Sequence, residues 1–303
     1  MEFGKISPKE LEQIDFTLPP DPAENKIVLQ KNKTQNSKTF VGCAKWGRKD
    51  WIGKFYPEGT KEKDFLSYYA KLFDCIELNA TFYKIPTDEQ IKKWKENVGK
   101  DFKFCPKFPQ VVTHLRRLKN CEREIDEFLG AMIKFENNLG SIFLMPHPQM
   151  GLKHLDTIQK FITSLPKDID LFLELRNPEW FVNGLNKDIL QIAEENKTGL
   201  IISDAAGRRD CVHMHLSKPE TFIRFVGNGL HETDFTRIDD WVNRVKLWLD
   251  AGLRKLYFFM HQHEEIHSPE LANYLVRKLN EVCNLKIPVP ALLNEEKNKT
   301  LFN

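Results

Sequence analysis

The chain is poor in the short motifs that announce a chemistry. No G-x-G-x-x-G follows the first β-rich run, so a dinucleotide-binding sheet has no support. There is no G-x-S-x-G elbow, Walker loop or H-E-x-x-H, which leaves serine-hydrolase, phosphate-loop and zincin readings without a local basis. None of the six cysteines stands in a C-x-x-C pair, which weakens metal-ribbon and dithiol-redox readings. No cofactor is identified by any motif. Long apolar runs are also missing: nothing approaches ~18 consecutive apolar residues, so no membrane span is expected. The opening MEFGKISPKE carries acids and no apolar core, unlike a secretory leader. With unpaired cysteines, this gives the expectation of a reducing, cytoplasmic setting. The net charge of +2 singles out neither nucleic acid nor an acidic partner.

What is present is a rhythm. In 303 residues, 41% hydrophobic, there is material for a large core, and α/β barrels of ~250 residues form single units. Residues 1–38 are polar, broken at Pro19-Pro20, and read as an N-terminal extension; 285–303 read as a tail. Between them, over 39–284, short apolar runs alternate with amphipathic stretches. The runs are Phe40–Ala44, Cys75–Asn79, Phe102–Lys107, Ser141–Pro146, Asp170–Leu175, Gly199–Ser203, Phe222–Val226 and Lys255–Met260. Helical periodicity marks Lys61–Leu72, Asp88–Val98, Cys121–Asn137, Leu152–Leu165, Leu185–Asn196, Thr236–Asp250 and Ser268–Cys283. The gap after the sixth run, containing Cys211–Leu216, reads as loop. Thr87 and Gln90 have capping-box spacing, Ser268-Pro269 reads as N-cap and first helical residue, and Gly140, Gly199 and Gly252 stand where left-handed C-caps are wanted. Strict alternation requires parallel strands, because a parallel crossover needs a helix-length connection. Eight units predict closure into a TIM-like (β/α)₈ barrel.

Such barrels work at the carboxyl ends of their strands. Charged residues inside otherwise apolar runs are the informative ones there, because an unpaired buried charge is costly. Glu77 in CIELNA and Glu174 in LFLELR each need a partner such as Lys107, Arg176 or Arg224. Two readings stand side by side: a structural ion-pair network, and acid–base chemistry by Glu77, Glu174 and Lys107. Asn79 alternates to the same side as Glu77. Lys107, Arg176 and Arg224 together are suited to a carboxylate or phosphate. Trp46 and Tyr83, in a dense aromatic group at the first two strand ends, read either as loop packing or as a stacking platform. His213-x-His215 and His261-x-His263 raise a metal reading against plain polar loops, and no metal ligand is assigned.

Four segments in order, GCAKWGRKDWIGKFYP (42–57), ELNATFY (77–83), KFPQVVTH (107–114) and LELRNPEWF (173–181), resemble the domain-of-unknown-function 72 family, also called YecE-like. The resemblance spans roughly residues 40–282. It implies a TIM barrel without an established activity, and it adds His114 to the candidate substrate-binding residues. The chain departs from the family pattern at Cys43-Ala44, Phe108, FIRFVGN and MHQHEE.

Three functions fit these residues. One is an enzyme acting on a small anionic or sugar-like substrate, with Glu77 or Glu174 as acid–base and Lys107, Arg176 and Arg224 as anion clamps. Another is a metal-dependent nucleic-acid-processing barrel, for which Arg116, Arg117, Lys119, Arg208 and Arg209 supply the basic rim. The last is a non-catalytic ligand-binding barrel. The expected partner is a small or phosphate-containing molecule.

Overall fold

Eight strands form where the β-rich runs lie: β1 Lys38–Cys43, β2 Cys75–Leu78, β3 Lys103–Pro106, β4 Ile142–Leu144, β5 Leu171–Leu173, β6 Gly199–Asp204, β7 Glu220–Gly227 and β8 Lys255–Gln262. The structure, a computed structural model, describes residues 3–30 and 37–293. Parts of the expected extension (1–2 and 31–36) and of the tail (294–303) lie outside the described residues. Every pairing is parallel, in the order β3-β2-β1-β8-β7-β6-β5-β4. Isolated bridges Phe104↔Leu139 and Lys107↔Phe143 join the two ends, and the Phe108 N–H donates to the Phe143 carbonyl at 2.9 Å. The sheet is therefore a nearly closed TIM-like barrel.

The helices are α1 Pro8–Leu11, α2 Glu24–Gln30, α3 Phe65–Leu72, α4 Ala80–Tyr83, α5 Asp88–Glu96, α6 Glu122–Met132, α7 Leu155–Ser164, α8 Lys187–Glu195, α9 Glu232–Ala251 and α10 Ser268–Cys283. The Thr87/Gln90 capping box forms in full. Ser268 is not the cap of α10: His267 takes that position, and the Ser268 hydroxyl instead donates to Glu265 Oε2 at 2.7 Å. Of the three glycines, only Gly252 is left-handed, at φ 119°. Gly140 and Gly199 are needed for close approach. A Cβ would lie 2.6 Å from Cys105 Sγ at Gly140, and 2.2 Å from the Phe172 ring at Gly199.

The loop expected between β6 and β7 is present, and it holds only a 3-10 turn, Arg209–Cys211. Helix α2 from the N-terminal segment packs against this helix-free stretch. The Asn25 amide donates to the Met214 carbonyl at 2.8 Å and accepts from the Leu216 N–H at 2.9 Å. Just before α2, Asp21 accepts from Arg244 and from the Trp248 indole of α9. Leu11, Leu18 and Leu29 of the same segment are buried.

Side chains alternate across each strand, which separates two apolar clusters. The larger lies between strands and helices. The smaller fills the barrel with Cys75, Cys105, Phe143, Phe172, Ile201, Phe222, Tyr257 and Phe259. One pleat further toward the carboxyl ends, on the same face, come Glu77, Lys107, Glu174, Ser203, Arg224 and His261. At the amino ends, two cavities of about 680 and 790 Å³ adjoin Asp170, Glu220 and Lys255. Their charges are spent on one another, with Lys255 Nζ 2.7 Å from Asp170 and 3.1 Å from Glu220. These cavities lie at the opposite end from the strand-end constellation.

Candidate functional site at the barrel mouth

Arg224 is the hub of the mouth. From β7 its Nε and Nη2 donate to the two oxygens of Glu77 on β2, both at 2.8 Å. Its Nη1 donates to both oxygens of Glu174, at 2.6 and 2.8 Å. The Ser203 hydroxyl and Arg176 Nε complete Glu174, at 2.9 and 3.0 Å. Asn79 Nδ2 and His261 Nε2 complete Glu77, at 2.8 and 2.9 Å. Both glutamates have no exposed surface, and Arg224 is 2% exposed. The expected ion-pair network is thus visible in the geometry.

Its electrostatics follow from burial opposed by pairing. Burial acts to raise the Glu77 carboxyl, but Arg224 and His261 outweigh it and hold it well below the usual range. Burial likewise raises Glu174, and Arg176 with Arg224 brings it down to about 2. Burial lowers His261, and Glu77 reverses the shift, so the imidazole is held above its ordinary value. Its Nδ1 faces Glu265 at 3.7 Å. Glu265 was not singled out in the sequence, although its i+4 spacing from His261 was available as a signal.

Lys107, just past β3, is different. It is 7% exposed, yet among the described residues its amine makes no ion pair. Nζ lies 3.5 Å from Met145 Sδ and 4.4 Å from the centre of the Phe82 ring. Burial first, then the nearby Arg224, lowers its pKa to about 7. His114 stands edge-on to the same Phe82 ring at 4.9 Å and to His147 at 5.1 Å. Its Nδ1 contacts Thr113 Oγ1 at 2.8 Å, and burial, then His147, lowers its pKa to about 4. The imidazole is therefore neutral at pH 7.

The structure brings Glu77, Asn79, Lys107, Glu174, Arg176 and Arg224 together, with His114 beside them. Of the two aromatic candidates, Tyr83 stands edge-on at 5.1 Å to the Phe82 ring that Lys107 contacts, and Trp46 faces a helix. The Trp46 ring packs edge-on to Trp94 of α5 at 5.6 Å, and Tyr83 is 72% exposed at the rim. The histidines of the metal reading have other roles. His213 contacts the Ile201 carbonyl through Nε2 and accepts the His215 N–H at Nδ1, both at 3.1 Å. Among the described residues, no group of three or more His, Cys, Asp or Glu is arranged to hold a metal ion. Of the basic rim, Arg116, Arg208 and Arg209 pair with Glu124, Asp210 and Asp204.

One contributor gave no sequence signal. The N-terminal segment reaches the edge of the mouth: the Phe3 ring lies 4.2 Å from the Arg176 guanidinium, and Gly4 O accepts from the Gly207 N–H at 2.9 Å.

A parallel barrel of eight strands with interior charges at the strand carboxyl ends defines a TIM-like barrel protein with a candidate site at its mouth. The chain belongs to the family described as "Protein of unknown function DUF72", whose profile matches residues 40–293. Among curated relatives, the UPF0759 protein YecE of Escherichia coli K12 is 25% identical over 272 residues, covering 84% of this chain and 97% of that protein. The UPF0759 protein YunF of Bacillus subtilis is 27% identical over 149 residues, covering 47% of this chain and 52% of the relative. Two solved structures share the fold, each at TM-score 0.63. The DUF72 family protein EF0366 of Enterococcus faecalis is 20% identical and covers 83% of this chain and 99% of its own. TM1631 of Thermotoga maritima is 19% identical and covers 80% of this chain and 99% of its own.

Proposed function

We propose that the barrel mouth is the active site of an enzyme acting on a small anionic substrate. Lys107 is its proton-transferring group, and Arg176, His114 and Asn79 bind and orient the ligand. The observation that carries this reading is the lone Lys107 amine. Glu77, Glu174, Arg176, Arg224 and His261 are all engaged with one another, and Lys107 is the cation left over. An acid–base group works best with a pKa near the operating pH, which suits Lys107. Glu77 and Glu174, held ionised, set the charge around it and keep Arg224 in place, while acid catalysis by either would need a proton that their pairing opposes. A surplus cation at the barrel mouth favours a negatively charged ligand. Three of the five rim cations, Arg116, Arg208 and Arg209, are paired with carboxylates, which favours a small molecule over a polynucleotide. Among the described residues no helix is long and apolar enough to cross a membrane. The six cysteines are all unbridged, which supports a reducing compartment.

A thermal-shift series with phosphate, sulfate and small carboxylates tests the reading, because a ligand of the folded state raises Tm with concentration. The rise is expected in the parent chain and should be lost in Arg176→Gln and Lys107→Met. An equal response in all three proteins overturns the site. Binding without turnover of any anionic substrate class would leave a ligand-binding barrel.

A further inference from the structure

We propose that Lys107 is a nucleophile that forms an imine with a small aldehyde or ketone bearing a carboxylate or phosphate group. This rests on the reading of the mouth as an anion site and names the substrate class for it.

Three observations converge on the amine. Its surroundings are apolar and soft: the face of Phe82 at 4.4 Å, Met145 Sδ at 3.5 Å and the Phe143 ring at 5.8 Å. A charged ammonium in such a slot wants a carboxylate at hydrogen-bond distance, and the two nearest in the network, Glu77 and Glu174, are already bound to Arg224. Burial and then Arg224 favour the neutral amine, with a smaller push from Arg176, and together they outweigh the opposing pull of Glu174 and Glu77. Desolvation and an adjacent cation are the two conditions that turn a lysine into a carbonyl nucleophile. An ordinary lysine is unprotonated in only about one molecule in 1,000 near pH 7.4.

The other candidate nucleophiles of the mouth are committed. Ser203 donates its proton to Glu174 at 2.9 Å, and the Cys105 thiol is fully buried below, in the barrel's apolar layer. His114, neutral and sharing the Phe82 ring with Lys107, is a polar group that can handle a proton without competing as an anion site.

The chemistry balances without a further reagent. The Lys107 nitrogen adds to the carbonyl carbon, the C=O π pair moves to oxygen, and one proton passes from nitrogen to that oxygen. The carbinolamine C–O bond then breaks. Its oxygen takes one proton from solvent and leaves as water, giving an iminium that retains one N–H. The iminium is a fixed cation that the network does not balance, because Glu77 and Glu174 are already matched by Arg224 and Arg176. The substrate's own anion, placed toward Arg176, supplies the missing negative charge. A carbonyl compound without such a group lacks that compensation, which is the source of the specificity.

Reductive trapping reads this directly. The full chain is incubated with pyruvate, dihydroxyacetone phosphate or propionaldehyde, reduced with borohydride, and mapped by peptide mass spectrometry. Expected is an adduct at Lys107 with pyruvate or dihydroxyacetone phosphate, roughly tenfold or more above any other lysine. Propionaldehyde should give a weaker adduct. Lys107→Met and Lys107→Arg should lose the adduct while keeping the parent fold by circular dichroism, and inorganic phosphate should slow its formation. The stronger of the two anionic probes assigns carboxylate or phosphate. Label spread evenly over surface lysines, or undiminished in Lys107→Met, overturns the imine. If phosphate still raises Tm through Arg176 while no Lys107 adduct forms, the imine fails and the anion site stands. Loss of both removes the underlying reading as well.

Discussion

Arg224 on β7 grips Glu77 on β2 through two parallel hydrogen bonds of 2.8 Å, reaching across the inside of the barrel. The same guanidinium holds Glu174. One buried cation therefore bridges two buried carboxylates, with Arg176 and His261 as further partners, and this geometry is strongly asymmetric toward mutation. Arg224→Met leaves both glutamates without their main partner. Breaking a buried pair from one side costs about 3–5 kcal/mol. Glu77→Gln leaves Arg224 paired with Glu174, and the amide oxygen that replaces the carboxylate can still accept a hydrogen bond, so its cost should be smaller. Urea unfolding midpoints decide the order. A loss under about 1 kcal/mol for Arg224→Met would mean that the network does not hold the barrel together.

Lys107 carries a pH signature. Its folded pKa, about 7, is below the ordinary lysine value, so between about 7 and 10.4 the unfolded chain binds more protons than the folded one. The penalty for burying the ammonium is full below pH 7 and shrinks as pH rises through that window. Lys107→Met should therefore be more stable than the parent by about 4–5 kcal/mol at pH 6, with the gap closing toward pH 10. Stability curves of the two proteins against pH test this. A gap that is constant with pH would show that the amine is not desolvated.

Much of the fold was legible because burial on both faces of a parallel strand writes a short apolar run, and eight such runs were separable. The charges that interrupt those runs, Glu77, Glu174 and Arg224, were legible for the same reason. Which of them pair was not: Glu77 and Arg224 are far apart in sequence and meet only through barrel closure. The unpaired state of Lys107 follows from Arg224 taking both carboxylates, so it too depends on tertiary geometry. Trp46 and Tyr83 were singled out by aromatic density, which does not reveal direction. Trp46 turned toward Trp94, and Tyr83 lies largely exposed against the edge of Phe82. The N-terminal segment was the least readable part. Its polar composition hides the few anchors, Leu11, Leu18, Asn25 and Leu29, that fix it to the barrel.

Phe3 connects that segment to the proposed anion site. Its ring lies over Arg176 at 4.2 Å and is 5.1 Å from Arg208, contacts between an aromatic face and planar guanidinium groups. At a partly exposed site such a contact is worth about 0.5–1 kcal/mol, small enough for a charged ligand to displace. Arg176 remains bonded to Glu174 through Nε and Nη2, so removing the ring uncovers the guanidinium without releasing it. Phe3→Ala should then strengthen phosphate binding severalfold and speed borohydride-trapped labelling of Lys107, with little change in Tm when no anion is added. Phe3→Leu, which keeps bulk but loses the π face, should fall between. Isothermal titration with phosphate and the trapping rate measure the two effects. Unchanged values in Phe3→Ala would show that the segment lies beside the mouth without controlling entry to it.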